Sequence, residues 1–162
     1  LIDLLAGLNR GVDHNGLPIG AGAGFVVGGR INPGATDLGA EGERALAEIA
    51  AGAQFLVTRP IFETERLGVL LDAIDGRVPV LATVRPLRTF AEAEFLRFES
   101  PEVAIPDRVL DQLEHAGTDA ERVGLRLARE TADAVASTVH GLIVRCNLTN
   151  LDTVVELVAD LA

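Results

Sequence analysis

The sequence VPVLATVRP, residues 78–86, contains the clearest strand signal in the chain. Apolar and β-branched residues fill both alternating sets of positions up to Val84, and Arg85 and Pro86 end the run. A strand that is apolar on both faces is typical of parallel sheets, whose two faces are covered by other elements. We therefore predict a buried parallel strand over residues 78–84.

Three further apolar runs of strand length lie on either side of it. They are FVVGGRI at residues 25–31, QFLVT at residues 54–58 and VHGLIVR at residues 139–145. Elsewhere apolar residues recur at helical spacing. The predicted helices cover residues 37–51, 63–74, 90–98, 107–115, 118–137 and 150–161, and residues 1–9 resemble the end of a helix.

Strands that alternate with helices predict an α/β fold with a parallel sheet. Two architectures fit this order: an open doubly wound sheet, and part of a (β/α)8 barrel. A complete barrel takes about 250 residues, whereas this chain has 162 residues and four strand–helix units. The pattern alone leaves both architectures open.

The composition indicates one globular domain that does not bind polyanions. Hydrophobic residues make up 48% of the chain and charged residues 23%, which is enough apolar material for a core. The net charge of −10 disfavours binding to nucleic acid or to an anionic membrane. No apolar run approaches the roughly 20 residues of a membrane span, and the N-terminus lacks a basic flank. We expect a cytoplasmic protein.

Two kinds of chemistry can be set aside from residue counts. All 14 basic residues are arginine, which excludes a lysine Schiff base and the phosphate lysine of a P-loop. The single cysteine, Cys146, cannot form an internal disulfide. It makes no metal-ligand spacing with the three histidines, so we expect no metal site.

Polar residues follow each predicted strand directly. They are Asn32-Pro33-Gly34, Thr58-Arg59-Pro60, Arg85-Pro86 and Arg145-Cys146-Asn147. Sites in barrels are built from the loops after the strands, so we predict that Asn32, Arg59, Arg85 and Asn147 lie on one face. Arginines there suit carboxylates and phosphates. The alternative is that they pair with nearby acids such as Glu63 or Glu94.

Four motifs resemble one family. They are NPGATDL at residues 32–38, GAQFLVTRPIF at 52–62, PVLATVRPLRTFAEAEFL at 79–96 and VAIPDRVLDQL at 103–113. In their order and spacing they resemble the second half of methylenetetrahydrofolate reductases, over nearly the whole chain. The NPGA form is most similar to members that are fused behind a homocysteine methyltransferase domain.

The resemblance implies a (β/α)8 barrel in which residues 1–162 form strands five to eight and the N-terminal half is missing. The family binds FAD at the carboxyl-terminal face of the barrel and takes hydride from NADH or NADPH. It reduces 5,10-methylenetetrahydrofolate to 5-methyltetrahydrofolate, in one-carbon metabolism and methionine biosynthesis. Its proton-donating glutamate lies near the first strand, so no catalytic residue is expected in this chain.

The resemblance also assigns binding positions. The positions implied for the flavin cofactor are Asn32, Glu41, Arg44 and Glu48. The positions implied for the folate substrate are Thr58, Arg59, Arg85 and Leu96.

Several of these positions depart from the family pattern. Arg59 replaces the glutamine that binds the pterin, and arginine offers donors only. Glu48 replaces a lysine near the flavin, which reverses the charge. Arg85 replaces an apolar residue that lines the folate. From these departures we expect weaker FAD binding than in typical members.

Three interpretations follow. The chain is part of a flavin-dependent reductase, or a diverged non-catalytic barrel that binds folate or a nucleotide, or an excised half-barrel. The first residue is Leu1 and methionine is absent, which favours a processed product or a fragment. We therefore expect partnership with a missing half-barrel or a second copy.

Overall fold

The computed structural model describes residues 1–100, 103–146 and 151–159. Its sheet has the four strands in consecutive order, and each strand is parallel to its neighbour. The strands are β1 (Gly28–Ile31), β2 (Phe55–Pro60), β3 (Val80–Val84) and β4 (Gly141–Val144). The predicted α/β fold with a parallel sheet is confirmed.

Helices connect the strands as the periodicity predicts. They are α1 (Ile2–Asn9), α2 (Leu38–Ala50), α3 (Thr64–Ile74), α4 (Phe90–Glu99), α5 (Asp107–Ala116), α6 (Ala120–Ala136) and α7 (Leu151–Val158), with a 3-10 turn at Gly117–Asp119. The predicted ends of the last helix, residues 150, 160 and 161, lie outside the described residues. Within the described ranges, no helix is long and apolar enough to cross a membrane.

The first strand is shorter than predicted. It was expected from residue 25, but it begins at Gly28, and Val26 is 78% exposed. The reason lies in Asn9, whose carboxamide donates to the Phe25 carbonyl and accepts from the Phe25 amide, both at 2.8 Å. The backbone before β1 is therefore attached to the end of α1 and does not extend the sheet.

One face of the sheet forms the main core with the helices. Ile31, Leu56 and Ala82 are fully buried there and pack with Leu67 and Leu70 of α3. Burial of this kind is the main favourable contribution to folding. Val84, at the end of β3, is also buried and packs against α6 in an adjoining hydrophobic cluster.

On the opposite face, the apolar side chains of the inner strands, such as Phe55, Val57 and Leu81, are only half-buried. Phe55 covers Gly28, where an added Cβ would lie 2.4 Å from the ring. Leu81 covers Gly141 in the same way, at 3.1 Å. The glycines of both outer strands thus make room for large residues of the inner strands. We call this surface the open face.

The long connection from β3 to β4 has a core of its own. Leu87, Leu96, Ile105 and Leu113 are buried in it, between α4, α5 and the start of α6. This cluster meets the sheet at the end of β3. It therefore positions the residues that follow β3.

Candidate functional site

The ends of the first three strands meet at one edge of the sheet. Asn32 follows β1, Arg59 is next to last in β2, and Arg85 follows β3. Because the strands are parallel and in register, these residues lie at the carboxyl-terminal edge together. The prediction of a common face is confirmed for these three, whereas Asn147 lies outside the described residues.

The turn after β1 is held by α3. Asn32 Oδ1 accepts from the Gly34 amide at 3.0 Å, and its carbonyl accepts from the Ala35 amide at 3.0 Å. Arg66 donates to the carbonyls of Pro33, at 2.7 Å, and of Ala35. Sequence reasoning missed Arg66 because its partners are backbone atoms more than 30 residues earlier.

A cleft of about 330 Å³ opens where the loops after β2 and β3 meet α5 and α6. Its floor is apolar, formed by residues such as Ile61, Leu87 and Ala128. Arg85 and Arg108 line it, together with the acids Glu63, Glu65 and Glu130. The accessible lining of the cleft is therefore mixed, with at least as much polar as apolar surface. Small-molecule sites combine apolar surface with polar groups that fix the orientation of the ligand.

Both arginines of the cleft are held in place. Arg85 Nη2 lies 2.9 Å from Glu92 Oε1, so its acidic partner is Glu92 and not the suggested Glu63 or Glu94. Arg108 Nη2 donates to the Phe62 carbonyl at 2.7 Å. Each guanidinium has further N–H donors beyond these bonds. The cleft can therefore offer donors from arginine and acceptors from glutamate.

The other positions assigned to the folate lie elsewhere. Thr58 is 3% exposed: its hydroxyl accepts from the Thr83 amide at 2.8 Å, and its carbonyl accepts from the Thr83 hydroxyl at 2.7 Å. Leu96 is 7% exposed and packs in the α4–α5 core. Arg59 is half-buried in β2 and has an interaction partner of its own. Of the four, only Arg85 lines the cleft.

The positions assigned to the flavin form a compact cluster on α2. Arg44 is bonded to Glu41 and Glu48, which lie one turn before and one turn after it. The hydrogen bond to Glu41 raises the pKa of the Arg44 guanidinium above its ordinary value, and burial opposes the rise. Arg44 therefore stays charged over the whole usable pH range.

This cluster is joined to the outer edge of β1. Glu48 Oε2 accepts from the Arg30 amide at 3.1 Å, and Glu41 Oε1 accepts from the Asn32 amide at 2.5 Å. Arg44 donates to the Arg30 carbonyl at 2.5 Å. We call Glu41, Arg44 and Glu48 the edge clamp.

The edge clamp does not fit a flavin dinucleotide. It has two carboxylates and one guanidinium, and the guanidinium is already bonded to both carboxylates. A pyrophosphate would meet a net negative charge. We derive no step through FAD from these residues.

In the described ranges, no group of three or more His, Cys, Asp or Glu side chains could hold a metal ion. Arg108 and Gly124 line the cleft and were missed by sequence reasoning. Gly124, a glycine in the interior of an amphipathic helix, was the available signal.

Parallel strands with helices beside them define an α/β protein, and the cleft beside the strand ends is its candidate ligand site. The family model described as methylenetetrahydrofolate reductase matches residues 23–154. The chain belongs to the methylenetetrahydrofolate reductase family.

Among solved structures, the chain is similar to an uncharacterized protein from Clostridium thermocellum that binds two copies of 5-methyl-5,6,7,8-tetrahydrofolic acid. The TM-score is 0.66 at 14% sequence identity, over 84% of this chain and 53% of that chain. At this identity the likeness shows the fold alone, and the chain spans about half the length of that protein. A comparison with curated proteins gives no match.

Proposed function

We propose that this chain binds a reduced folate in the cleft beside the strand ends. The observation that supports the proposal is the position of Arg85, a residue that the family resemblance assigns to the folate and that lines the cleft. A structurally similar protein binds 5-methyltetrahydrofolate. The volume of about 330 Å³ lies at the lower end of the range for small-molecule sites.

The chemistry of the wall matches the two ends of a folate. The pterin ring presents N–H donors, for which Glu63, Glu65 and Glu130 offer acceptors. The glutamate tail presents carboxylates, for which Arg108 offers a charged donor. The apolar floor suits the aromatic ring that joins the two ends.

The test is calorimetric titration of 5-methyltetrahydrofolate into the wild-type protein and into Arg108→Ala. Loss of one charge-assisted hydrogen bond should weaken binding about tenfold. The matched control is Arg122→Ala, an exposed arginine on α6 that pairs with Asp119 at 3.1 Å outside the cleft. Equal affinities for wild type and Arg108→Ala, with unchanged circular dichroism, would contradict the cleft as the folate site.

For the whole protein, family membership supports reduction of 5,10-methylenetetrahydrofolate to 5-methyltetrahydrofolate with FAD and NAD(P)H, and we propose this activity. A folate-binding barrel without catalysis is the second candidate. The edge clamp favours the second candidate, because two carboxylates stand where an anionic flavin would need positive charge.

Flavin absorbance and turnover of the full-length protein separate these candidates. We expect the wild-type protein to bind FAD weakly and the double variant Arg59→Gln/Glu48→Lys to show higher flavin occupancy, since it restores the family's residues at both positions. Wild-type protein that is saturated with FAD and turns over at ordinary rates would eliminate the second candidate.

We further propose that the four strands act as strands five to eight of a closed barrel. The open face supports this proposal, because Phe55, Val57 and Leu81 are only half-buried there. In a closed barrel such residues pack against the strands opposite. Sedimentation of residues 1–162 alone should show association or unfolding. A cooperatively folding, stable monomer would favour the open doubly wound sheet.

A further inference from the structure

Among the asparagines of the chain, only Asn15 is followed by glycine. The backbone nitrogen of the next residue can attack an asparagine carboxamide, and glycine has no side chain to hinder that attack. Asn32 cannot react in this way, because Pro33 has no backbone N–H. The carboxamide of Asn9 is bonded at both ends to the backbone of Phe25. The sequence therefore favours this chemistry at Asn15.

The loop between α1 and β1 contains a small hairpin at residues 11–19. An antiparallel bridge joins Val12 to Pro18, and the Ile19 amide donates to the Gly11 carbonyl at 2.9 Å. These contacts all lie within the hairpin. Its conformation is therefore set locally and does not require distant parts of the chain.

Asp13 holds the tip of the hairpin. Its Oδ1 accepts from the amides of Asn15 and Leu17, both at 2.8 Å. Its carbonyl accepts from the Gly16 amide at 3.0 Å, and its amide donates to the Leu17 carbonyl at 2.9 Å. Aspartate commonly closes turns in this manner. The Gly16 nitrogen, which is the atom that would attack Asn15, is thus engaged as a hydrogen-bond donor.

The tip of the hairpin has room for a reaction between its two residues. Asn15 and Gly16 are both exposed, and the Asn15 carboxamide has no hydrogen-bond partner in the part of the chain that the structure describes. Gly16 has a left-handed φ of 79°, and an added Cβ there would meet no atom within 4 Å. The packing therefore leaves space for a succinimide ring at this position.

We propose that Asn15 is a site of spontaneous deamidation and that Asp13 controls its rate. The Gly16 amide loses its proton to water or hydroxide, and its nitrogen forms a bond to Asn15 Cγ while ammonia leaves. Water then opens the succinimide at either carbonyl, which yields aspartate or isoaspartate. The Gly16 amide must first leave its hydrogen bond to Asp13, so the folded hairpin slows the reaction. The proposal does not depend on folate or flavin binding.

The two products should change the hairpin and leave the strand behind it in place. Aspartate adds a negative charge beside Asp13, and isoaspartate also lengthens the backbone by one methylene, which disturbs the pairing of Val12 with Pro18. The base of the loop is held by separate bonds, among them the Ala23 amide, which donates to the Leu8 carbonyl at 2.9 Å. Circular dichroism of the modified protein should therefore match that of the unmodified protein.

Incubation of the full-length protein at mildly alkaline pH tests the site. Ion-exchange chromatography should resolve a more acidic species, and peptide mapping should place the change at Asn15. The same protein unfolded in urea has lost the hydrogen bonds of the hairpin and should react at least about tenfold faster. The proposal fails if the product maps to another asparagine, if the native and unfolded rates agree, or if prolonged incubation of the native protein gives no product.

Two substitutions of Asp13 test what controls the rate. Asp13→Ala removes the acceptor of the Asn15 and Leu17 amides and should raise the native rate at least about fivefold. Asp13→Asn keeps an acceptor oxygen at this position and should stay close to the wild-type rate. Each native rate is divided by the rate of the same variant in urea, which removes direct effects of the side chain on the chemistry. A wild-type rate in Asp13→Ala would overturn the role of Asp13, and so would equal acceleration in both variants.

Discussion

Gly124 of α6 packs against the backbone of the loop that follows β3, and we expect its replacement by alanine to destabilise the protein. A Cβ at residue 124 would lie 1.7 Å from the carbonyl oxygen of Leu87 and 2.7 Å from the carbonyl carbon. Leu87 is 2% exposed, so its backbone cannot move without disturbing the α4–α5 core.

Two opposing effects decide the size of the change. Alanine in a helix interior is favoured over glycine by about 1 kcal/mol. Overpacking a well-packed site costs about 1–3 kcal/mol or more, and contact with backbone atoms belongs at the upper end of that range. The net loss should be about 1–2 kcal/mol, which corresponds to a fall in Tm of about 2–8 °C for a chain of this size.

Gly68 provides the matched control in α3. A Cβ there would meet no atom within 4 Å, so Gly68→Ala should stabilise the protein by about 1 kcal/mol. Urea unfolding followed by circular dichroism, at one protein concentration, measures both variants. The two changes should differ in sign. Equal or higher stability for Gly124→Ala would refute the close approach of α6 to Leu87.

Two further predictions concern single positions. Asp75 ends α3 with a left-handed φ of 52°, so Asp75→Gly should raise the free energy of unfolding by about 0.5–1 kcal/mol in thermal or urea unfolding. Asp72→Gly inside the same helix should lower it by about 0.3 kcal/mol, because aspartate is only slightly better than glycine in a helix interior. Thr58→Val should cost about 1–3 kcal/mol in the same assay, because it leaves the buried Thr83 amide without its acceptor, and Thr58→Ser, which keeps the hydroxyl, should cost less.

The elements of the fold could largely be predicted because each has a local signal. The periodicity placed α2 at residues 37–51, against Leu38–Ala50 in the structure, and Asp37 begins the helix by accepting from the Ala40 amide at 3.0 Å. The local signal failed where a contact between residues far apart in the sequence determines the end of an element. β1 begins later than its apolar run because Asn9, 16 residues earlier, bonds the backbone of Phe25.

The candidate site was less accessible to sequence reasoning. Arg85 could be placed at a strand end from the pattern alone, but its partner Glu92 could not be told from other nearby acids. Arg66 and Arg108 donate to backbone carbonyls. Every residue has a backbone carbonyl, so the sequence does not indicate which one accepts a hydrogen bond. Sequence patterns therefore predict where polar side chains lie, but they do not predict which backbone groups these side chains bind.

The charge reversal at Glu48 illustrates this difference. Judged by residue type alone, a carboxylate in place of the family's lysine is a lost cation and a weakened flavin site. In the structure the same carboxylate accepts from the Arg30 amide, and Gly29 leaves the space that it needs. Glu48 therefore depends on Gly29 for its contact with the strand, and a lysine at residue 48 would remove the hydrogen bond to the Arg30 amide. In Glu48→Lys, a gain in flavin affinity and a loss of this hydrogen bond should appear together, whereas Arg59→Gln alone should leave the hydrogen bond in place.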